Sequence, residues 1–161
     1  MSKGRRALRN ILIALGVLLF AGFNYIEFRL MGVTPCGILH LQMAFSVDNG
    51  AALIGAWIQA GVLDWVYASL ILDYFFMTAY TLLLLVLAWD YPKPFVRVMI
   101  VAAGLCDVCE NTLHLTTLST ANYGLITAAS VLAGVKFLLI FASVVLLVLH
   151  AVTSKRKGAT P

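Results

Sequence analysis

Residues 95–118 read FVRVMIVAAGLCDVCENTLHLTTL, an apolar run long enough to cross a bilayer that nonetheless carries Asp107, Glu110, Asn111 and His114. Those four sit at i, i+3, i+4 and i+7, and at about 100° per residue they share one stripe of a helix whose other faces suit lipid. An ionisable group at a helix centre in hydrocarbon costs roughly 2.5–3.5 kcal/mol by insertion scales, so such groups usually face a bundle interior and serve a purpose. The stretch therefore predicts a membrane span and a site together.

The rest of the chain extends the pattern. A hydrocarbon layer about 30 Å thick takes about 20 largely apolar residues per helix. Runs of that kind cover Ile11–Met31, Trp65–Trp89, Phe95–Leu118 and Gly124–His150. Each holds polar groups inside it: Asn24 and Glu27 in the first, Asp73 and Tyr80 in the second, Lys136 in the fourth. The chain of 161 residues is 62% hydrophobic and 11% charged, with mean hydropathy +0.98, whereas an ordinary soluble domain is about 50% apolar. The expected fold is one all-α transmembrane domain over residues 1–161, a four-helix bundle whose first partner is the lipid bilayer.

The net charge of +4 gathers at span ends and is not a nucleic-acid footprint. Lys3, Arg5, Arg6 and Arg9 precede the first span, Lys93 and Arg97 flank the second turn, and Lys155, Arg156 and Lys157 follow the fourth span. Segments 32–63 and 119–123 hold no Lys or Arg. Cytoplasmic loops carry the basic excess, which places both termini and the Asp90–Pro94 turn on the cytoplasmic side of a bacterial inner membrane. Arg29, near the outer end of span one, is the exception; it pairs with Glu27 or snorkels to the interface. A cleaved signal peptide is the rival reading of the N-terminus, but its apolar region is usually about 7–15 residues and ends at a small-residue site. The run here continues to Met31 without a clear A-x-A sequence.

Asp90-Tyr-Pro-Lys-Pro94 breaks helices, because proline lacks a donor and restricts its predecessor; it joins spans two and three as an antiparallel hairpin. The connection 32–64 is too long for a turn and too apolar for a solvated loop. Asp48-Asn49-Gly50 offers helix-start chemistry, and Ala51–Val62 would rise only about 18 Å, too short to span. An interfacial or re-entrant helix over the outer mouth is expected, with Trp57 and Trp65 at headgroup level. The alternation of Leu39, Leu41, Met43 and Phe45 with polar or small residues predicts an extended stretch there.

Depth orders the polar groups. At 1.5 Å per residue from the outer ends, Asp107 lies roughly 17 Å down and Lys136 roughly 20 Å, Asp73 and Glu110 roughly 12 Å, Glu27 and His114 roughly 6 Å. In span two, Ser69, Asp73 and Tyr80 share a face, as Ala129, Lys136 and Ser143 do in span four. The groups are expected to open toward the outer face beneath the short helix. Carboxylates so close in a low dielectric do not all ionise cheaply, so at least one of Asp73 and Glu110 is expected to hold a proton or a cation. Two uses follow. Asp73, Glu110 and neutral His114 could ligate a divalent metal as cofactor, or the same groups exchange protons while a cargo moves.

The bland alternative is that the polar residues are glue between helices, each bond often worth about 0.6 kcal/mol, and that Asp107–Lys136 only fixes register. Three cysteines make no disulfide framework. Cys106-Asp-Val-Cys109 suggests a thiol–quinone exchange, but Cys109 points roughly 160° from Asp107 and no second pair exists to relay electrons, so these read as packing residues. His40 and His150, at an interface and a helix end, read as non-catalytic.

Leu72-Asp73-Tyr-Phe-Phe76-Met-Thr-Ala-Tyr80 and Asp107-Val-Cys-Glu110-Asn111 form the strings L-D-x-x-F-x-x-x-Y and D-x-x-E-N. The pair resembles small bacterial four-helix integral membrane proteins of unassigned function, over about a third of the chain by length. The resemblance implies no mechanism; it marks Asp73, Tyr80, Asp107, Glu110 and Asn111. The leading functional expectation is binding or transport of a small cation or polar solute at Asp73, Glu110 and His114. One bundle of four helices leaves little room for a polar path, which favours a homodimer. The other classes are a membrane-embedded enzyme acting on a lipid or isoprenoid, with Glu110 or His114 as acid/base, and a non-catalytic membrane subunit.

Overall fold

The computed structural model describes residues 2–157, with side chains described for residues 2–153. The Lys155, Arg156 and Lys157 side chains and the ends of the 1–161 domain lie outside the described residues. Among the described residues the elements are α1 (Lys3–Leu30), α2 (Gly37–Gln42), α3 (Val47–Gln59), α4 (Leu63–Leu87), α5 (Phe95–Thr120) and α6 (Leu125–Lys157), with no strand. Helices α1, α4, α5 and α6 are long and apolar enough to cross a membrane. The protein is a multi-pass, all-α membrane protein.

The long helices pack in chain order, α1 on α4, α4 on α5, and α5 most extensively on α6. Arg5 pairs with Asp90 at 2.8 Å, and the Tyr91 and His150 rings stand 5.0 Å apart. The start of α1, the α4–α5 turn and the far part of α6 therefore share one end of the bundle, the terminal end. The short helices cover the opposite end, with α2 against α1 and α6, and α3 against α6 and α4. Gly50 lets α3 lie on α6, because a Cβ there would run into the Ile126 side chain.

The connection 32–64 differs from its sequence reading in three ways. The expected extended stretch is instead α2, with Ile38, Leu41 and Gln42 buried at i, i+3 and i+4 while Leu39 and His40 face out. Three helical positions outweigh a two-residue alternation when the neighbours lie on one side. The start of α3 is Ser46, whose Oγ accepts from the Asn49 N–H at 3.2 Å. Trp57, expected at headgroup level, is fully buried and donates from Nε1 to Thr34 Oγ1 at 3.1 Å. Arg29 does not pair with Glu27; it donates to Tyr25 OH at 3.0 Å and lies over the Tyr25 and Trp65 rings.

Two apolar clusters bracket the middle. At the capped end Leu30, Ile38, Leu41, Ile54, Trp57 and Ile126 pack together. At the terminal end Ala88, Val96 and Ile100 do so, with Leu146 and Leu147 against them. The ionisable groups of α4, α5 and α6 lie between.

Candidate functional site

Helix α5 supplies the centre, because its polar stripe faces inward along its length. Glu110, Asn111 and His114 are 0% exposed and Asp107 2%; Lys136 from α6 is 4% and Asp73 from α4 7%. Asp107 is the hub. Its Oδ1 accepts from Lys136 Nζ at 2.9 Å, its Oδ2 from Tyr80 OH at 2.7 Å, and Asn111 Nδ2 stands 3.5 Å from Oδ1. The same Asn111 amide donates to Asp73 Oδ2 at 2.9 Å. Lys136 Nζ also approaches Glu110 Oε2 at 2.7 Å, an ion pair not aligned as a hydrogen bond. The pairing of Asp107 with Lys136 follows from their similar depth and opposite sign.

The seven residues singled out from the sequence thus occupy one compartment. Six of them, Asp73, Tyr80, Asp107, Glu110, Asn111 and Lys136, form a continuous chain of contacts. His114 adjoins it, with Nε2 at 3.9 Å from Glu110 Oε1. Among the described residues both ring nitrogens of His114, both Glu110 oxygens, and Asn111 Oδ1 are buried without a hydrogen-bond partner. An unpartnered buried polar atom costs about 1–3 kcal/mol. The buried layer holds three carboxyl groups, Asp73, Asp107 and Glu110, and one ammonium, Lys136, which contacts Asp107 and Glu110, an excess of two acidic groups over the cation. The arrangement can hold protons and pass them between neighbours, and its unpartnered atoms favour a polar guest.

Among the described residues no group of three or more His, Cys, Asp or Glu side chains is placed to hold a metal ion. Asp73, Glu110 and His114 are not brought together as a ligand set, because the Asn111 amide sits on Asp73 and the Lys136 ammonium on Glu110. The expected outward opening is also absent from this conformation, since the capped-end cluster closes over the polar layer.

Glu27, placed in the outer layer from its depth, is absent from the candidate site expected from the sequence. It is part-buried and accepts from Ser69 Oγ at 3.3 Å and from the Ile38 N–H at 3.1 Å. Depth was the available signal, since Ser69 and Glu27 both lie roughly 6 Å below the outer ends of their spans. Thr81 and Ser143 are further buried hydroxyls without partners among the described residues. Cys36, Cys106 and Cys109 are free, and Cys109 is exposed on the outer face of α5.

No protein-family model, curated protein or solved structure matches this chain.

Proposed function

We propose that this protein binds and moves a small cation or polar solute across the membrane, exchanging protons at Asp73, Glu110 and His114. In this reading Asp107–Lys136 ties α5 to α6, and Tyr80 and Asn111 orient the carboxylates. One observation carries it: Asp107 and Glu110 both contact the Lys136 ammonium and Asp73 is a third buried carboxyl reached through Asn111, between two apolar plugs and beside a histidine whose ring nitrogens have no hydrogen-bond partner among the described residues. Helix glue alone would not call for an excess of buried carboxyl groups, and a histidine without hydrogen bonds, at the centre of the bundle, where they are costly.

The basic residues at the terminal end support a bacterial inner-membrane location with both termini cytoplasmic. The likeness of the two sequence strings to small bacterial four-helix membrane proteins supports placing the activity here, because both strings end in this compartment. A homodimer fits a single bundle with so little room for a path. A lipid- or isoprenoid-modifying enzyme is less supported, since neither the groove along Arg97, Val101 and Leu105 nor the one along Leu12, Phe75 and Leu82 is lined by Glu110 or His114.

The test is reconstitution into vesicles with a pH-sensitive dye inside, challenged with inward gradients of sodium, potassium, ammonium, magnesium or a small zwitterion. At least one gradient should change internal pH faster than in empty vesicles, and Asp73→Asn should abolish that change while the helical circular dichroism is retained. No response to any member of the panel removes the reading.

A further inference from the structure

Glu27 joins three elements with one carboxylate. From α1 it reaches the Ile38 N–H at the start of α2, at 3.1 Å to Oε2, and Ser69 Oγ of α4, at 3.3 Å to Oε1. The adjoining residue, Gly37, has φ +50°, and a Cβ at that position would collide with the Glu27 carboxylate. Glycine meets both demands, a left-handed backbone and room for the acid.

Few other polar contacts hold the cap, and most of its attachment is apolar. The Phe45 N–H donates to Ser130 Oγ of α6 at 3.2 Å, and Trp57 binds Thr34 at 3.1 Å. Apolar contacts of Ile38, Leu41, Ile54 and Trp57 do the remainder. Left-handed residues punctuate the segment: Gly37 at φ +50° as the first residue of α2, Phe45 at φ +51° between α2 and α3, and Gly61 at φ +68° after α3. A non-glycine residue held there stores strain, and element-terminal residues of this kind absorb the backbone change when a segment swings. Two short rigid helices hang between three joints, above His114.

We propose that α2 and α3 form a movable gate over the buried site and that Glu27 is its latch, a positioning residue that holds α2 shut. Solute then enters from the capped end and meets Glu27 before Asp73. A cation arriving at Glu27 competes for the oxygens that bind Ile38 and Ser69, so arrival of cargo loosens the cap. This rests on the reading of the buried cluster as a binding site.

Thiol labelling tests it. In a chain with Cys36, Cys106 and Cys109 replaced by serine, a Thr117→Cys reporter lies buried one turn from His114 toward the cap, and a Ser143→Cys reporter lies buried toward the terminal end. A membrane-impermeant maleimide is presented to reconstituted vesicles. Glu27→Ala should raise labelling at Thr117→Cys about tenfold, the scale of one lost charge-assisted hydrogen bond, and leave Ser143→Cys unchanged. Glu27→Gln, whose amide oxygen still accepts, should keep most of the protection. Gly37→Ala should act in the same direction as Glu27→Ala, and together with Ser69→Ala decides the matter should Glu27→Ala not accumulate. Equal labelling with and without the latch, or an equal rise at both reporters, overturns the gate. Labelling needs no flux: vesicles that show latch-dependent labelling but no solute response would remove the functional reading and leave the gate standing.

Discussion

Helices α1 and α5 both qualify as membrane spans, yet they relate to the bundle in opposite ways. In the most apolar stretch of α1, 11% of residues are buried, against 39% for α5. The buried residues of α1 are Leu12, Ile26 and Leu30, while Val17 and Leu18 stand outward. α5 buries Gly104, Asp107, Glu110, Asn111, His114 and Thr117, along with apolar neighbours. The more apolar helix is the peripheral one. In lipid, apolar surface gains little by leaving the acyl chains, so small and polar residues decide which helix goes to the centre.

The strongest way to break that contrast is Lys136→Met. It leaves Asp107 and Glu110 without their counter-charge, and breaking a buried pair from one side costs about 3–5 kcal/mol. Equilibrium denaturation in micelles should show that loss. Unchanged stability would mean that the polar stripe does not hold α5 inward. A smaller effect sharpens the contrast. Asn111→Leu deprives Asp73 of its donor and should cost about 1–2 kcal/mol, near the upper range for polar contacts between membrane helices. Leu18→Ala on α1, in the same assay, should stay within about 0.5 kcal/mol. Reversal of that ranking would show α1 to be the structural helix.

The smallest effect belongs at the surface, where α1 meets the α4–α5 turn. The hydrogen bond from Arg5 holds the exposed Asp90 carboxyl below the usual carboxylate range. A depressed value means the contact favours the fold above the ordinary aspartate pKa of about 3.9 and ceases to do so as pH falls through the lowered value. Arg5→Ala should return the Asp90 titration toward the ordinary value, followed by NMR, with little change in thermal stability because the pair is exposed. An unmoved titration would separate α1 from the turn.

Much of the site was legible because hydrocarbon makes each buried charge conspicuous. Asp73, Asp107, Glu110 and Lys136 could be placed on facing stripes and matched in depth from helix geometry alone. A short helix over the outer mouth was legible too, as α3 bears out, but the details of the cap were not. α2 is six residues long, too short for periodicity to separate helix from strand, and Trp57 could be buried because Thr34 took its indole N–H. Glu27 gains its partners only because α2 folds back onto it and α4 brings Ser69 alongside. Asp73, Glu110 and His114 are not grouped as ligands here on the same ground, since side-chain partners such as Asn111 and Lys136 compete for carboxylate oxygens in ways that spacing does not rank.

Sequence alone determined four spans, their polar faces and the layer at which opposite charges would meet, because the rise and rotation of a helix are set by local backbone geometry. Only the tertiary structure decided which acid meets which donor, that α2 folds back onto Glu27 as a helix, and that α1 stays at the margin. Those outcomes depend on contacts between segments far apart in the chain, where a shift of one side chain exchanges one partner for another.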